Sequence, residues 1–372
     1  MAMIWSPEAV ARIAHSPLPA TPLIEPASAA PILPGYDLWD LWPVQTVDGV
    51  VAPIAGGALF MILSAPAGED PEARHALARI RLMHRSGDGT WVDLGPTLPD
   101  GFSPGSREWA GSAVLDNAGA VTLYFTAAGR RGEDVLSFEQ RLFQTSARLV
   151  IDDGKPRLED WSPPVECVVP DGTIYTRDME GGGAIGTIKA FRDPGYFRDP
   201  LTERELLLFT SSLASSSSSF NGAIGAASRD ENGNWSLLPP LITADGLNNE
   251  LERPHIVVAK GRYYLFWSTQ GKVFAPGGPI GPTGLYGAVA DNLAGPWRPL
   301  NESGLVLANP PEAPHQAFSW LVTDDLEVFS FVDLLTLADR PTDPALARAH
   351  FGGTPAPVVH LDLDHDRSRL VS

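Results

Sequence analysis

The chain has 372 residues and a formal net charge of −18. So acidic a surface argues against a nucleic-acid binder, which needs clustered Lys and Arg for the phosphate backbone, but it suits a neutral substrate. With Cys167 as the single cysteine an intrachain disulfide is impossible, so a core drawn from the 44% of apolar residues must hold the fold.

Gly (36) and Pro (35) make up about one residue in five, the composition of short strands joined by tight turns. Most of the ten Trp belong in the core, although Trp at a pocket mouth also suits carbohydrate, whose C–H faces stack on aromatic rings. The start, MAMIWSPEAVARIAHSPLP, lacks the basic n-region and apolar run of a signal peptide. No stretch is apolar over 18 residues, so no membrane span is expected. These features predict a cytoplasmic protein or one exported without a cleaved leader.

In chain order, EAVARIA near the start predicts a short helix, and residues 16–36, rich in Pro and Ala, an extended arm; residues 1–35 are read as that arm and 36–372 as one domain. Five repeats follow. The first runs ALFMILSAP (58–66), ARIRLMHRS (78–86), GTWVDLGP; the second AVTLYFTAAG (120–129), QRLFQTSARLVI (140–151), EDWSPP. The third runs ELLLFTSSL (205–213), NGAIGAAS (221–228), GNWSLLPP, with the low-complexity SSLASSSSSF (211–220) as a flexible loop between two of its strands. The fourth runs RYYLFWSTQ (262–270), GLYGAVA (284–290), GPWRPL; the fifth runs LEVFSFVDLL (326–335), PVVHLDLD (357–364) and lacks the Trp strand. Such units, about 55–80 residues apart, suit blades of four antiparallel strands. They predict an all-β fold, a five-bladed β-propeller, with a large β-sandwich as the alternative. Cys167, in VECVVP, is expected as a buried small side chain.

A polar–aromatic cluster precedes each repeat: Trp39-Asp40-Leu41-Trp42-Pro43, Arg107-Glu108-Trp109, Arg192-Asp193-Pro194, Glu250-Leu251-Glu252-Arg253-Pro254 and His315-Gln316. In a propeller the first strand of each blade lines the axis, so the clusters converge on a central funnel. Asp40, Glu108, Asp193, Glu250 and Glu252 would meet Arg107, Arg192 and Arg253 there. Interleaved carboxylates and arginines are what glycoside chemistry needs: one carboxylate attacks the anomeric carbon, and another, kept protonated by its neighbours, protonates the leaving oxygen. Taken singly, an Arg-Asp-Pro is more often a turn and a Glu-Arg a solvated ion pair. Zinc spacings, Walker and GxGxxG loops and a GxSxG elbow are absent from the sequence, and the GGG at 181–183 is read as a turn. No cofactor or metal is expected.

From about residue 36 to 335 the clusters, in order, resemble glycoside hydrolase family 68, the levansucrases, inulosucrases and bacterial β-fructofuranosidases. The carriers are LWDLWPVQ (38–45), REWAGSA (107–113), FRDPGYF (191–197), ELERPHIV (250–257) and GPWRPLNESGLVL (295–307). The resemblance implies a five-bladed propeller and a retaining mechanism on sucrose. Asp40 would be the nucleophile, Glu252 the acid/base and Asp193 the transition-state stabiliser. Arg192, Arg253 and Glu250 would hold the sugars, and Trp39 and Trp109 would wall the fructose pocket. The first Arg-Asp-Pro (192–194) is preferred to the second (198–200), because it precedes ELLLFTSS by the family's spacing.

Four positions depart from the family pattern. Ala110 stands where Ser is usual, Gln270 where polymer-making members carry Arg or His near the acceptor, Thr210 where an acidic residue is common, and Phe318 where Tyr is common. Weaker acceptor grips would let water and small sugars compete, so a β-fructofuranosidase with short-chain transfer is expected. The alternatives are a levansucrase or inulosucrase making polymer, an inverting glycosidase on a related propeller, and a non-catalytic sugar-binding propeller. The expected partners are sucrose and small sugar acceptors, with neither nucleic acid nor membrane.

Overall fold

The computed structural model describes residues 2–177 and 182–371. The turn expected at 181–183 begins at Gly181, outside them. The five apolar repeats are the middle strands of five antiparallel blades around one axis, so the fold is the five-bladed β-propeller and not the sandwich. The inner strands are Tyr36–Thr46, Arg107–Leu115, Phe191–Arg198, Glu252–Ala259 and Ala317–Val322. Each cluster read from sequence lies on, or just before, one of them. Blades 1 and 2 are fused by a parallel ladder, Val44–Thr46 against Ala113–Leu115.

Outer strands depart most from expectation. In blade 2 the strand is Lys155–Glu159 rather than EDWSPP, where Trp161 lies beyond the ladder. GPWRPL contributes only Arg298–Pro299, and Leu305–Ala308 completes that edge. The fifth blade does have an outer strand, Arg367–Val371, without a Trp. Peripheral strands are half solvated, so many sequences satisfy them. Cys167 is half-buried, with Sγ donating to the Leu142 carbonyl at 3.4 Å, and desolvation pushes the thiol up to about 12.

From residue 2 to about residue 31 the N-terminal segment binds the rim of blades 3 to 5, and Ile32 and Leu33 then pack on blade 1. Met3–Ile4 pairs in parallel with the outer strand of blade 3. Ser6 caps the helix Pro7–Ala11. Trp5 is buried against Trp267, Phe274 and Tyr286, with ring centroids 5.3, 5.6 and 5.0 Å away, and its Nε1 donates to the Ser303 carbonyl at 2.9 Å. Further on, Gln316 accepts from the Ile24 amide and donates to the Pro22 carbonyl.

Candidate active site

All five inner strands break register at one level. One extra residue lies between Trp39 and Leu41, between Trp109 and Gly111, between Arg192 and Gly195, between Glu252 and His255, and between Phe318 and Leu321. A regular strand alternates its side chains between faces, whereas a bulge re-aims one of them. Each blade therefore turns two consecutive residues to the axis: Trp39 and Asp40, Trp109 and Ala110, Arg192 and Asp193, Glu252 and Arg253, Phe318 and Ser319. All ten line one cavity of about 390 Å³. Four of the second residues have left-handed backbone: Asp40 (φ 36°), Asp193 (φ 59°), Arg253 (φ 52°) and Ser319 (φ 63°). Such conformations cost roughly 1–3 kcal/mol each and persist only where the surroundings enforce them.

Cross-blade hydrogen bonds provide that enforcement. The Asp193 amide donates to Thr126 Oγ1 at 2.9 Å, and Asp193 Oδ2 accepts from Thr210 Oγ1 at 2.9 Å and from the Arg253 amide at 3.3 Å. The Arg253 guanidinium donates to the Ser319 carbonyl (2.9 Å), Ser319 Oγ (2.8 Å) and the Leu41 carbonyl (2.6 Å). It thereby ties the bulge of blade 4 to those of blades 5 and 1. His255 Nε2 accepts from the Val322 amide at 2.8 Å, which leaves the ring proton on Nδ1 to meet the Arg253 carbonyl at 2.9 Å. Burial lowers that imidazole to about 4, keeping it neutral. Gly195 lets two inner strands touch, since a Cβ there would stand 2.4 Å from the Pro254 carbonyl oxygen.

Arg192 Nη2 donates to Glu250 Oε2 at 2.7 Å and to Glu252 Oε1 at 2.9 Å. Burial works against its charge, but Glu250 and Glu252 more than compensate and hold its pKa above the ordinary value. The Glu252 carboxyl is raised to about 8, by burial first and then by repulsion from Glu250 and Asp193, against the pull of Arg192. Asp193 is raised too, by burial and by the charge of Asp40, against Arg192 and the Thr210 hydrogen bond.

All nine site residues read from sequence line the pocket: Trp39, Asp40, Trp109, Arg192, Asp193, Glu250, Glu252, Arg253 and Gln270. Other members of the clusters do not. Glu108 faces away, buried, with Oε2 accepting from the Ile80 amide at 2.8 Å, and burial lifts its carboxyl to about 7. Arg107 is spent on the Ser137 carbonyl and Glu133. His315-Gln316 is off the pocket, Gln316 being occupied by the N-terminal segment. Asp199 of the second Arg-Asp-Pro forms a turn, with Oδ1 accepting from Tyr263 Oη at 2.5 Å and from the Leu201 amide at 3.1 Å. Thr210 is buried behind Asp193 and is not on the acceptor side of the cavity.

Sequence reasoning missed Glu72, Arg74, His75, Lys272, Asp333 and Arg340, which line the same cavity. The one signal was an Asp inside an apolar strand, FSFVDLL. Six carboxylates in the lining (Asp40, Glu72, Asp193, Glu250, Glu252, Asp333) face five Arg or Lys (Arg74, Arg192, Arg253, Lys272, Arg340), so the pocket is nearly balanced in an acidic protein and suits an uncharged ligand. Among the described residues no group of three or more His, Cys, Asp or Glu is placed to hold a metal ion.

A five-bladed propeller with carboxylates, arginines and aromatic rings converging on its axis has the make-up of a propeller glycosidase. A family model described as Levansucrase/Invertase, glycoside hydrolase family 68, matches residues 2–228 and 215–372, and the chain belongs to this family of fructosyl-transferring enzymes. It is 32% identical over 373 residues to levansucrase Lscbeta of Pseudomonas syringae pv. actinidiae, spanning 89% of this chain and 82% of that protein. To levansucrase LscA of Pseudomonas savastanoi pv. glycinea it is 31% identical over 409 residues, 98% and 93% of the two chains. Among solved structures it resembles the inulosucrase from Halalkalicoccus jeotgali bound to kestose, with TM-score 0.91 and 38% identity over 100% of this chain and 95% of that one.

Proposed function

We propose that the chain splits sucrose through a covalent fructosyl-enzyme and passes the fructosyl group chiefly to sugar acceptors, in the manner of a levansucrase or inulosucrase, with water as a competitor. The observation that carries the chemistry is that Asp40, Asp193 and Glu252 line one cavity on three inner strands, where burial and the nearby Glu250 and Asp193 raise the Glu252 carboxyl to about 8. At neutral pH Glu252 is mostly protonated and gives its proton to the glycosidic oxygen while an Asp40 oxygen attacks the anomeric carbon of fructose. The C–O bond to glucose breaks, glucose leaves, and an ester joins fructose to Asp40. Glu252, now a carboxylate, takes the proton of the incoming hydroxyl as that oxygen displaces Asp40. Asp193 Oδ2 is held by Thr210 and the Arg253 amide, which leaves Oδ1 for fructose hydroxyls, where it stabilises positive charge developing on the ring. Arg192 and Glu250 grip hydroxyls, and Trp39 and Trp109 wall the sugar.

Likeness along nearly the whole chain to levansucrases and an inulosucrase favours transfer to sugar over the hydrolysis expected from the departures. The cavity gives a physical reason. Gln270 brings no cation, but Lys272 two residues on, Arg74 in blade 1 and Arg340 after the Glu327–Leu334 strand of blade 5 line the same space, so cationic acceptor grips are available without it. Thr210 does not bear on the acceptor at all. Ala110 and Phe318 remain as apolar departures in the lining.

The test is the release of free glucose and free fructose from sucrose, with chromatography of the products. Glucose in excess over fructose, with oligosaccharide or high-mass fructan, is expected; equal amounts would make the enzyme a hydrolase. Asp40→Asn should remove turnover, and near-full activity in that variant would end the nucleophile assignment.

A further inference from the structure

A bulge takes one residue out of the ladder, and the amide it frees must find another acceptor when it is buried. In this ring that acceptor comes from a fixed place. The strands paired to the inner ones in blades 2, 3 and 4 are Ala120–Ala128, Glu205–Ser212 and Arg262–Thr269. Each sets a hydroxyl opposite the last inner-strand residue before the bulge: Thr126 opposite Trp109, Thr210 opposite Arg192 and Ser268 opposite Glu252. Each of the three follows a buried aromatic residue (Phe125, Phe209, Trp267) and is itself fully buried. Each accepts an amide from the bulge of the next blade: Asp193 donates to Thr126 Oγ1 at 2.9 Å, Arg253 to Thr210 Oγ1 at 3.2 Å and Trp320 to Ser268 Oγ at 2.9 Å. Blades 1 and 5 carry Leu63 and Phe331 at this place.

In blades 2 and 3 the hydroxyl returns its own proton to the bulge of the same blade. Thr126 Oγ1 donates to the Ala110 carbonyl at 3.1 Å, and Thr210 Oγ1 donates to the Asp193 carboxylate at 2.9 Å. An alcohol both donates and accepts through one atom, so the bonds run in series across three blades. Asp193 is therefore gripped twice, by its carboxylate from Thr210 and by its amide from Thr126. Blade 2 adds a second hydroxyl just beyond it. Ser112 Oγ donates to the Pro194 carbonyl at 2.8 Å and accepts from the Tyr196 amide at 2.9 Å. Among the described residues blade 2 gives the cavity no charged group, only Trp109, Ala110 and Phe138. Its polar side chains at this level are turned to the bulge of blade 3 instead.

We propose that Thr126 and Ser112 are positioning residues for Asp193. Neither lines the catalytic cavity, yet together they hold the left-handed backbone of Asp193 (φ 59°) and so aim its free oxygen at the fructosyl ring. Thr suits the first place because branching at Cβ keeps χ1 stiff. This rests on the reading of Asp193 as the transition-state stabiliser and names what that role depends on in the neighbouring blade.

Thr126→Val and Ser112→Ala, made singly in the full-length enzyme, test this. Initial rates on sucrose should show kcat lower by about a hundredfold, the effect of a misplacement on the order of 1 Å. KM should change little, since the lost interaction belongs to the transition state. Thr126→Ser keeps the hydroxyl and should recover most of kcat. Thr145→Val is the structural control: it removes a buried hydroxyl bond of the same blade away from the axis, from Thr145 Oγ1 to the Ser162 carbonyl at 2.6 Å, and should lower Tm with kcat unchanged. If Thr126→Val and Ser112→Ala behave like that control, or raise KM at wild-type kcat, the proposal is overturned; if only one of them folds, that one decides. Asp193→Asn with near wild-type kcat would sink the stabiliser reading and the proposal with it. A crippled Asp193→Asn beside wild-type kcat in the hydroxyl variants would sink the proposal alone.

Discussion

Arg253→Lys separates a residue that holds the nucleophile's backbone from one that holds the sugar. The guanidinium serves two neighbouring inner strands at once, Ser319 in blade 5 and Leu41 in blade 1. An ammonium on a shorter reach can serve one of them but not both. If the Leu41 carbonyl is left buried and unpaired, the cost is about 1–3 kcal/mol. Unfolding entropy of roughly 2.1 cal/mol/K per residue over 372 residues turns about 2 kcal/mol into a Tm lower by about 2–3 °C. The effect on turnover should be larger. Leu41 follows Asp40, whose φ of 36° needs support, and a misplacement on the order of 1 Å costs about a hundredfold in rate. Initial rates on sucrose, with calorimetry, should show kcat down by about that factor and KM little changed. If KM rises with kcat intact, the guanidinium grips the sugar, as its sequence motif implied, and the bulge argument fails.

The alkaline limb of kcat/KM should fall as pH passes about 8, where Glu252 loses its proton; Glu252→Gln should be slow and lack that limb, and a limb that survives would remove Glu252 as the acid. The same shift has a sign in stability. Because the folded pKa lies above the ordinary value of 4.5, the stabilisation linked to the proton is complete below 4.5 and lost as pH rises through about 8. The Tm of wild type should therefore decline relative to Glu252→Gln across that window, and a constant difference would contradict the raised pKa. Trp5→Ala empties a buried aromatic nest far from the cavity and should cost about 3–5 kcal/mol, seen as a Tm lower by about 4–6 °C on the entropy scale above with kcat unchanged; a wild-type Tm would mean that the N-terminal segment contributes little to the fold.

The middle strands of the blades were legible because a strand buried on both faces must be nearly all apolar, as in ELLLFTSSL and RYYLFWSTQ. Outer strands were not, because a half-solvated edge tolerates KPRLE as well as a Trp-containing segment. At the axis, resemblance located the clusters, but alternation alone could have divided them: with Trp109 turned inward, Glu108 must turn outward. The converse cases, Asp40 beside Trp39 and Asp193 beside Arg192, break alternation through bulges set by cross-blade hydrogen bonds, which no local sequence encodes. Arg340 was missed because Glu72, which it meets at 3.6 Å, lies more than 250 residues away, and Asp333 because its partner is that same Arg340.

Blades 1 and 2 share a ladder, whereas among the described residues no backbone hydrogen bond joins blade 5 to blade 1. That joint is apolar side chains overlaid by charged contacts: Arg348 with Asp37, Arg340 with Glu72, and Asp324 accepting from the Val51 amide at 2.9 Å. Dissolved ions weaken such contacts within a Debye length of roughly 8–10 Å. That joint can part without unravelling a sheet. Because Arg340 belongs both to that seam and to the wall of the cavity, a change of ionic strength that loosens ring closure is felt at the cavity wall through the same side chain.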